Sequence, residues 1–294
     1  MMPTPLDKLI ISADAGSVFD KVGRAAGEGL QRALGRTIEL VNVGDSAGVG
    51  GAEAGARAAA DGSTILICNK GAITSHPHTA KTYQTGDFTP LCQVAEAPIA
   101  VAVANNSPFK TLRDLIEAAR KQPDTISYST PNAYHTQRLA MEDFAGRNEL
   151  KFKFLILPGG NAATIKQLNE EKVHFAFLAA HNLAAPEKAG EIKVLGVAHG
   201  SRLPFLPSAP TFREAGYDLV TAIWLGLFAP KGVQADPLKE LRKIAETAAR
   251  DAQTTAAIEK LLLVPSFLDY NAFGKKVTAD SAFHLNVLRQ LGAV

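Results

Sequence analysis

Cysteine is nearly absent from this chain. Only Cys68 and Cys92 occur in 294 residues. Two thiols set no disulfide framework and no metal site by spacing. Both lie in apolar runs, so they read either as buried free thiols or as one bridge between neighbouring strands. An excess of one charge is also missing. The 31 Lys and Arg nearly balance the 29 Asp and Glu, and the net charge is +2. Like charges do not cluster, which leaves no basic stripe for nucleic acid. No apolar run reaches the roughly 20 residues that span a bilayer. The segment Met1 to Lys8 has neither the basic nor the apolar region of a leader. The expectation is a cytoplasmic chain, or one whose leader is removed upstream. Gly-x-Ser-x-Gly, His-Glu-x-x-His and spaced Cys/His sets are lacking too, so neither an enzyme nor a cofactor is expected. His76-Pro77-His78 has no third ligand for a metal. Cys68 before Asn69 is the one nucleophile of interest, and His135 would be its partner only by accident of folding.

What is present is alternation. Apolar strands and amphipathic helices follow one another from Leu9 to Ala198. Thr111-Leu112-Arg113-Asp114 reads as a capping box opening a helix over 112–121. The tail, from Asp236 to Leu291, reads as two or three helices with a short strand near Pro265–Leu268. Such repeats predict an α/β fold with parallel sheets covered on both faces. Two apolar runs, 90–103 and 220–229, are too long for one ordinary strand, and each is expected to cross between lobes. The predicted division is a first lobe of 1–102 and 226–294, with a second lobe, 103–225, inserted.

Candidate binding residues lie where strands end. Ala13 to Asp20 forms a strand-to-helix turn whose first helical N–H groups have no partner inside the helix. Ser17 and the N–H groups of Val18 and Phe19 are the leading anion donors, with Ala15 and Gly16 giving the backbone room. Asp20 is either part of that turn or an ordinary acid in a first helical turn. Asn69 is a turn-former able to donate, and Lys70 either pairs with a bound acid or reaches solvent. Thr130, Asn132, His135 and Thr136 precede another helix. The helix dipole there favours a neutral, hydrogen-bonding His135. Gly160 and Asn161 open a further helix that would take a second acid group. His181 follows a strand end, and Trp224 reads as core rather than as a ligand platform. Open α/β sheets bind ligands at such carboxyl ends.

These landmarks also resemble a known family. Ala15-Gly16-Ser17-Val18-Phe19-Asp20 is similar to the Ala-Gly-Gly-x-x-Asp turn of the tripartite tricarboxylate transporter substrate-binding proteins, the Bug-type receptors. Asn42, Gly51-Ala52-Glu53-Ala54, Asn69, Thr111 to Leu115, Leu206-Pro207-Ser208-Ala209-Pro210-Thr211, Glu214-Ala215-Gly216-Tyr217 and Trp224-Leu225-Gly226-Leu227 follow in the family's order. The resemblance implies a two-lobed, type II periplasmic-binding-protein fold. It implies a small organic acid held in the inter-lobe cleft mainly by backbone N–H groups. It also implies delivery to membrane permease subunits by a monomeric receptor in the periplasm. A leaderless chain would instead be an intracellular carboxylate sensor or carrier on the same fold. Ser17 stands where the family often has a second Gly, His135-Thr136-Gln137-Arg138 where it has Thr-Pro-Ser-His, and Leu178 where it often has Asp. The scaffold therefore reads as retained and the ligand lining as changed.

Overall fold

A computed structural model of the chain describes residues 6–294 except 46, 131, 132 and 157–159, and of 162 only the backbone. It divides into two compact units, Met1–Glu96 with Trp224–Val294, and Ala97–Ile223.

Unit 1 begins with β1 (Lys8–Ile11), α1 (Val18–Leu34), β2 (Glu39–Asn42), α2 (Val49–Ala56) and β3 (Thr64–Asn69). β1 pairs in parallel with β2 and β3. Two short helices follow, α3 (Lys70–Thr74) and α4 (His76–Thr79), before the 17-residue strand β4 (Phe88–Ala104). α3 was not expected from sequence, because five residues containing Gly71 carry no readable period. It forms because Asn69 caps it, the side chain accepting from Ala72 N at 3.2 Å.

Unit 2 holds the rest of β4, then α5 (Leu112–Lys121), β5 (Ser127–Thr130), α6 (Thr136–Arg147), β6 (Lys153–Ile156), α7 (Gly160–Asn169), β7 (Phe175–Ala179), α8 (Ala184–Lys188) and β8 (Ile192–Val197). β5 pairs in parallel with β6 and β7, while β7 and β8 pair antiparallel with β4. Its core is aromatic. Tyr128 stacks on Phe175 at 5.2 Å, and Phe144 meets Phe212 edge-on at 5.5 Å.

The chain re-enters unit 1 along β9 (Ala222–Pro230), then adds α9 (Ala235–Arg250), α10 (Ala252–Lys260), β10 (Val264–Asp269) and α11 (Tyr270–Gln290). β9 pairs antiparallel with β3, and β10 antiparallel with β4. The all-parallel expectation thus holds for β1–β3 and β5–β7 only. Side-chain composition records a strand's burial, not its direction. Both cysteines are free and buried. Trp224 is fully buried against Phe228 and Phe273, as core.

α2 lies so close to β1 that only glycine fits at Gly51. A Cβ there would come within 2.5 Å of Ser12 Cβ and 2.6 Å of Ser12 Cα. The backbone atom cannot swing aside, so Gly51→Ala should force the helix off the strand. The expected cost is about 1–3 kcal/mol, read as a fall in Tm of several degrees. Gly86→Ala, where nothing lies within 4 Å of the added carbon, should melt like the parent.

Candidate functional site

Two edges carry the candidate residues, one in each unit. In unit 1 the turn after β1 is built by its own residues. Gly16 takes φ +82°, a conformation that favours glycine. Its N–H donates to Asp20 Oδ2 at 2.7 Å, Ser17 N–H donates to Asp14 O at 3.1 Å, and Ser17 Oγ caps α1 by accepting from Asp20 N–H at 3.2 Å. Asp20 is 2% exposed and also accepts from Asn42 Nδ2 at 2.8 Å and from Arg24. Burial alone would raise its pKa. The hydrogen bonds from Asn42 and Gly16 and the Arg24 guanidinium outweigh that and hold it below the usual carboxylate value. Asp20 is therefore the clasp of the turn and has no capacity left for a ligand. The Gly16 and Ser17 N–H groups are likewise spent. Ala15 is exposed on the turn. The N–H groups of Val18 and Phe19, the first of α1, have no acceptor among the described residues.

The neighbouring helix start is closed. Asp45 accepts from the N–H groups of Ala47, Val49 and Gly50 at 2.9–3.0 Å, so a carboxylate of the chain already fills the N-terminus of α2. Asn69 is committed on both sides, to Ala72 N–H and, through Nδ2, to Ala47 O at 3.1 Å. Lys70 corrects both readings made of it from sequence. It is 7% exposed, and its Nζ lies 3.1 Å from Asp280 Oδ1. It neither reaches solvent nor stands free for an acid. Cys68 gives its thiol hydrogen to Ser12 Oγ, and burial pushes its pKa up to about 12, so it is no nucleophile.

In unit 2 the ends of β5 and β7 and the starts of α6 and α7 form the second edge. Thr130 is fully buried at the end of β5. His135 takes the N-cap position of α6 with extended backbone and no side-chain cap bond. Thr136 and Gln137 follow. Their N–H groups have no acceptor among the described residues, and Gln137 Oε1 has no donor among them, although Gln137 is only 2% exposed. Gly160, at φ +71°, opens α7 with Asn161 half-buried behind it. His181 sits in the single turn after β7. Desolvation drives its pKa down to about 4, so it is neutral at neutral pH. His181 Nδ1, Asn182 Nδ2 and Ser129 Oγ are buried without a partner among the described residues. Asn132 lies outside the described residues. Sequence reasoning missed Ser129, Gln137 and Asn182. Only their nearness to the strand ends pointed to them.

The electrostatics of both edges agree. Arg24, Lys70 and Arg138 are each paired, with Asp20, Asp280 and Glu142. Beside these pairs both edges offer backbone N–H groups and neutral side chains, which suit a carboxylate approached by dipoles. Among the described residues no cluster of three or more His, Cys, Asp or Glu is placed to hold a metal. No helix among them is long and apolar enough to cross a membrane.

The chain matches the profile described as tripartite tricarboxylate transporter family receptor over residues 22–277. A UPF0065 protein of Bordetella pertussis is 27% identical over 259 residues, covering 87% of this chain and 78% of that protein. Protein BugT of the same organism is 25% identical over 240 residues, covering 76% and 70%. A TctC solute-binding protein from Polaromonas superposes with TM-score 0.84 at 20% identity, covering 99% of this chain and 100% of that one. A R. palustris protein solved with adipate gives 0.79 at 24% identity, covering 99% of each chain. MatC from Rhodopseudomonas palustris, solved with malate, gives 0.74 at 20% identity, covering 96% and 98%. At these identities the structures show a shared fold, that of the periplasmic solute-binding proteins. The profile match runs through both units, and the chain belongs to the tripartite tricarboxylate transporter receptors, a family of solute-binding proteins and not of enzymes.

Proposed function

We propose that this receptor captures a small dicarboxylate and hands it, as a periplasmic monomer, to the membrane permease of a tripartite transporter. The observation that carries this reading is the open start of α1. Val18 and Phe19 offer N–H donors at a helix N-terminus, while the cations Arg24 and Lys70 are already paired. One carboxylate of the ligand binds there. At the unit 2 edge the α6 N-terminus, His135, Thr136, His181 and, at the start of α7, Gly160 and Asn161 are further candidate partners for a carboxylate. Two structural relatives solved with adipate and malate support a dicarboxylate.

The test is a titration with adipate, malate and the corresponding diamides. An acid present at 100 times its Kd should add about 2.7 kcal/mol to stability. The diamides should not, because N–H donors and helix dipoles select the anion. Equal responses to acid and diamide would overturn the reading.

A further inference from the structure

α11 carries three polar residues one turn apart, Lys276, Asp280 and His284, and each bonds another element of unit 1. Lys276 Nζ pairs with Glu96 on β4. Asp280 Oδ1 pairs with Lys70 Nζ at 3.1 Å, and its Oδ2 accepts from Trp224 Nε1 at 2.7 Å. His284 Nδ1 lies 3.0 Å from Thr74 Oγ1, itself bonded to Lys70 O. Glu96 is the last residue of unit 1 before the chain leaves along β4, and Trp224 is the first on its return along β9. Both are therefore held by α11 at the residues where the chain crosses. Lys70 follows Asn69, whose side chain anchors the loop leading into α2 at Ala47 O.

We propose that Asp280 is a positioning residue for ligand capture: its single carboxylate ties the turn after β3 to β9, so that the turn and the crossing strand shift together. The proposal rests on the ligand reading above for its consequence, but its mechanical part stands on unit 1 alone. The two oxygens have different partners, a cation and an indole N–H, and both partners are buried. The carboxylate itself is 19% exposed, but both partners are shielded, so a change at one partner is felt at the other through the one planar group. Trp224 transmits it further, since its ring packs edge-on against Phe273 at 5.0 Å on the same helix.

The experiment compares the parent with Asp280→Asn, Asp280→Glu and the charge-free double variant Lys70→Met/Asp280→Asn. Amide hydrogen exchange is measured without ligand over residues 69–75 and 224–228, and adipate and malate affinities are measured by calorimetry. Asp280→Asn should speed exchange at least ten-fold in both segments together and weaken acid binding ten-fold or more. Asp280→Glu should restore part of each. The double variant should regain thermal stability, with no cation left unpaired, yet keep the weakened binding. Faster exchange in one segment alone, or parent-like affinity in a folded Asp280→Asn protein, would overturn the proposal. If the parent binds neither acid, the dicarboxylate reading fails by itself, and the exchange data alone decide whether Asp280 couples the two segments.

Discussion

Val18→Pro should leave the protein folded and weaken its binding of a dicarboxylate by about 10-fold to 150-fold. Proline removes one N–H, and Val18 is the first residue of α1, the position where a helix has no internal use for that group. The preceding residue is compatible as well. Ser17 has φ −67° and ψ 165°, within the extended region that proline demands of its neighbour. The folded state thus keeps every bond of the turn and loses only the donor proposed for the ligand. A charge-assisted hydrogen bond is worth roughly 1.5–3 kcal/mol, which sets the range. Ser17→Ala is the contrasting variant. It removes the cap bond to Asp20 N–H, costing about 0.5–2 kcal/mol of stability, with affinity almost unchanged. Blocking the Ser17 N–H would be uninformative, because that group already donates to Asp14 O. Calorimetry with circular dichroism separates the cases. A folded Val18→Pro protein that binds like the parent would move the carboxylate away from this turn.

Acidification should produce the second large effect. His284 is 1% exposed, and burial together with the charge of Lys70 pushes its pKa from an ordinary 6.5 down to about 3. Asp280 opposes this, and His78 adds slightly to it. The unfolded chain takes up a proton at His284 near pH 6.5, and the folded chain does so only near pH 3. The contribution is therefore fully present above pH 6.5 and is lost as the pH falls toward 3. At 1.36 kcal/mol for each unit between the two values, it amounts to on the order of 3 kcal/mol by pH 4. His181, lowered to about 4 by desolvation, works in the same direction. His284→Gln cannot titrate and should lose much less stability than the parent between pH 7 and pH 4.5. Urea unfolding at the two pH values tests this. An identical loss in both proteins would mean that His284 is not held neutral in the fold.

Much of the scaffold is readable from sequence because the signals are local. The Thr111 capping box is present as expected, with both reciprocal bonds, and α5 runs over Leu112–Lys121. β6 spans Lys153–Ile156, and α1 begins at Val18. α3 escaped notice because five residues carry no readable period, and besides the Asn69 cap it leans on α11, where Thr74 Oγ1 meets His284 Nδ1, 210 residues later. The turns of the candidate site were legible as well, but not which of their groups remain free. Asp20 and Asp45 look alike as acids near helix starts. One clasps the turn in front of α1 and leaves two N–H groups open; the other takes the first two N–H groups of α2, those of Val49 and Gly50. That difference depends on where Asn42 and Arg24 fall in space. Lys70 shows the same limit, since its partner Asp280 arrives on the last helix.

The state of the two cysteines bears on how such a protein matures. Burial raises both thiols, Cys68 to about 12, so at neutral pH they stay protonated and unreactive. No covalent cross-link contributes to the native state, and each sulfur is shielded from oxidants until the chain unfolds. The two thiols of this chain therefore call for no oxidant as it folds, and their buried state is the same in a reducing and in an oxidising compartment.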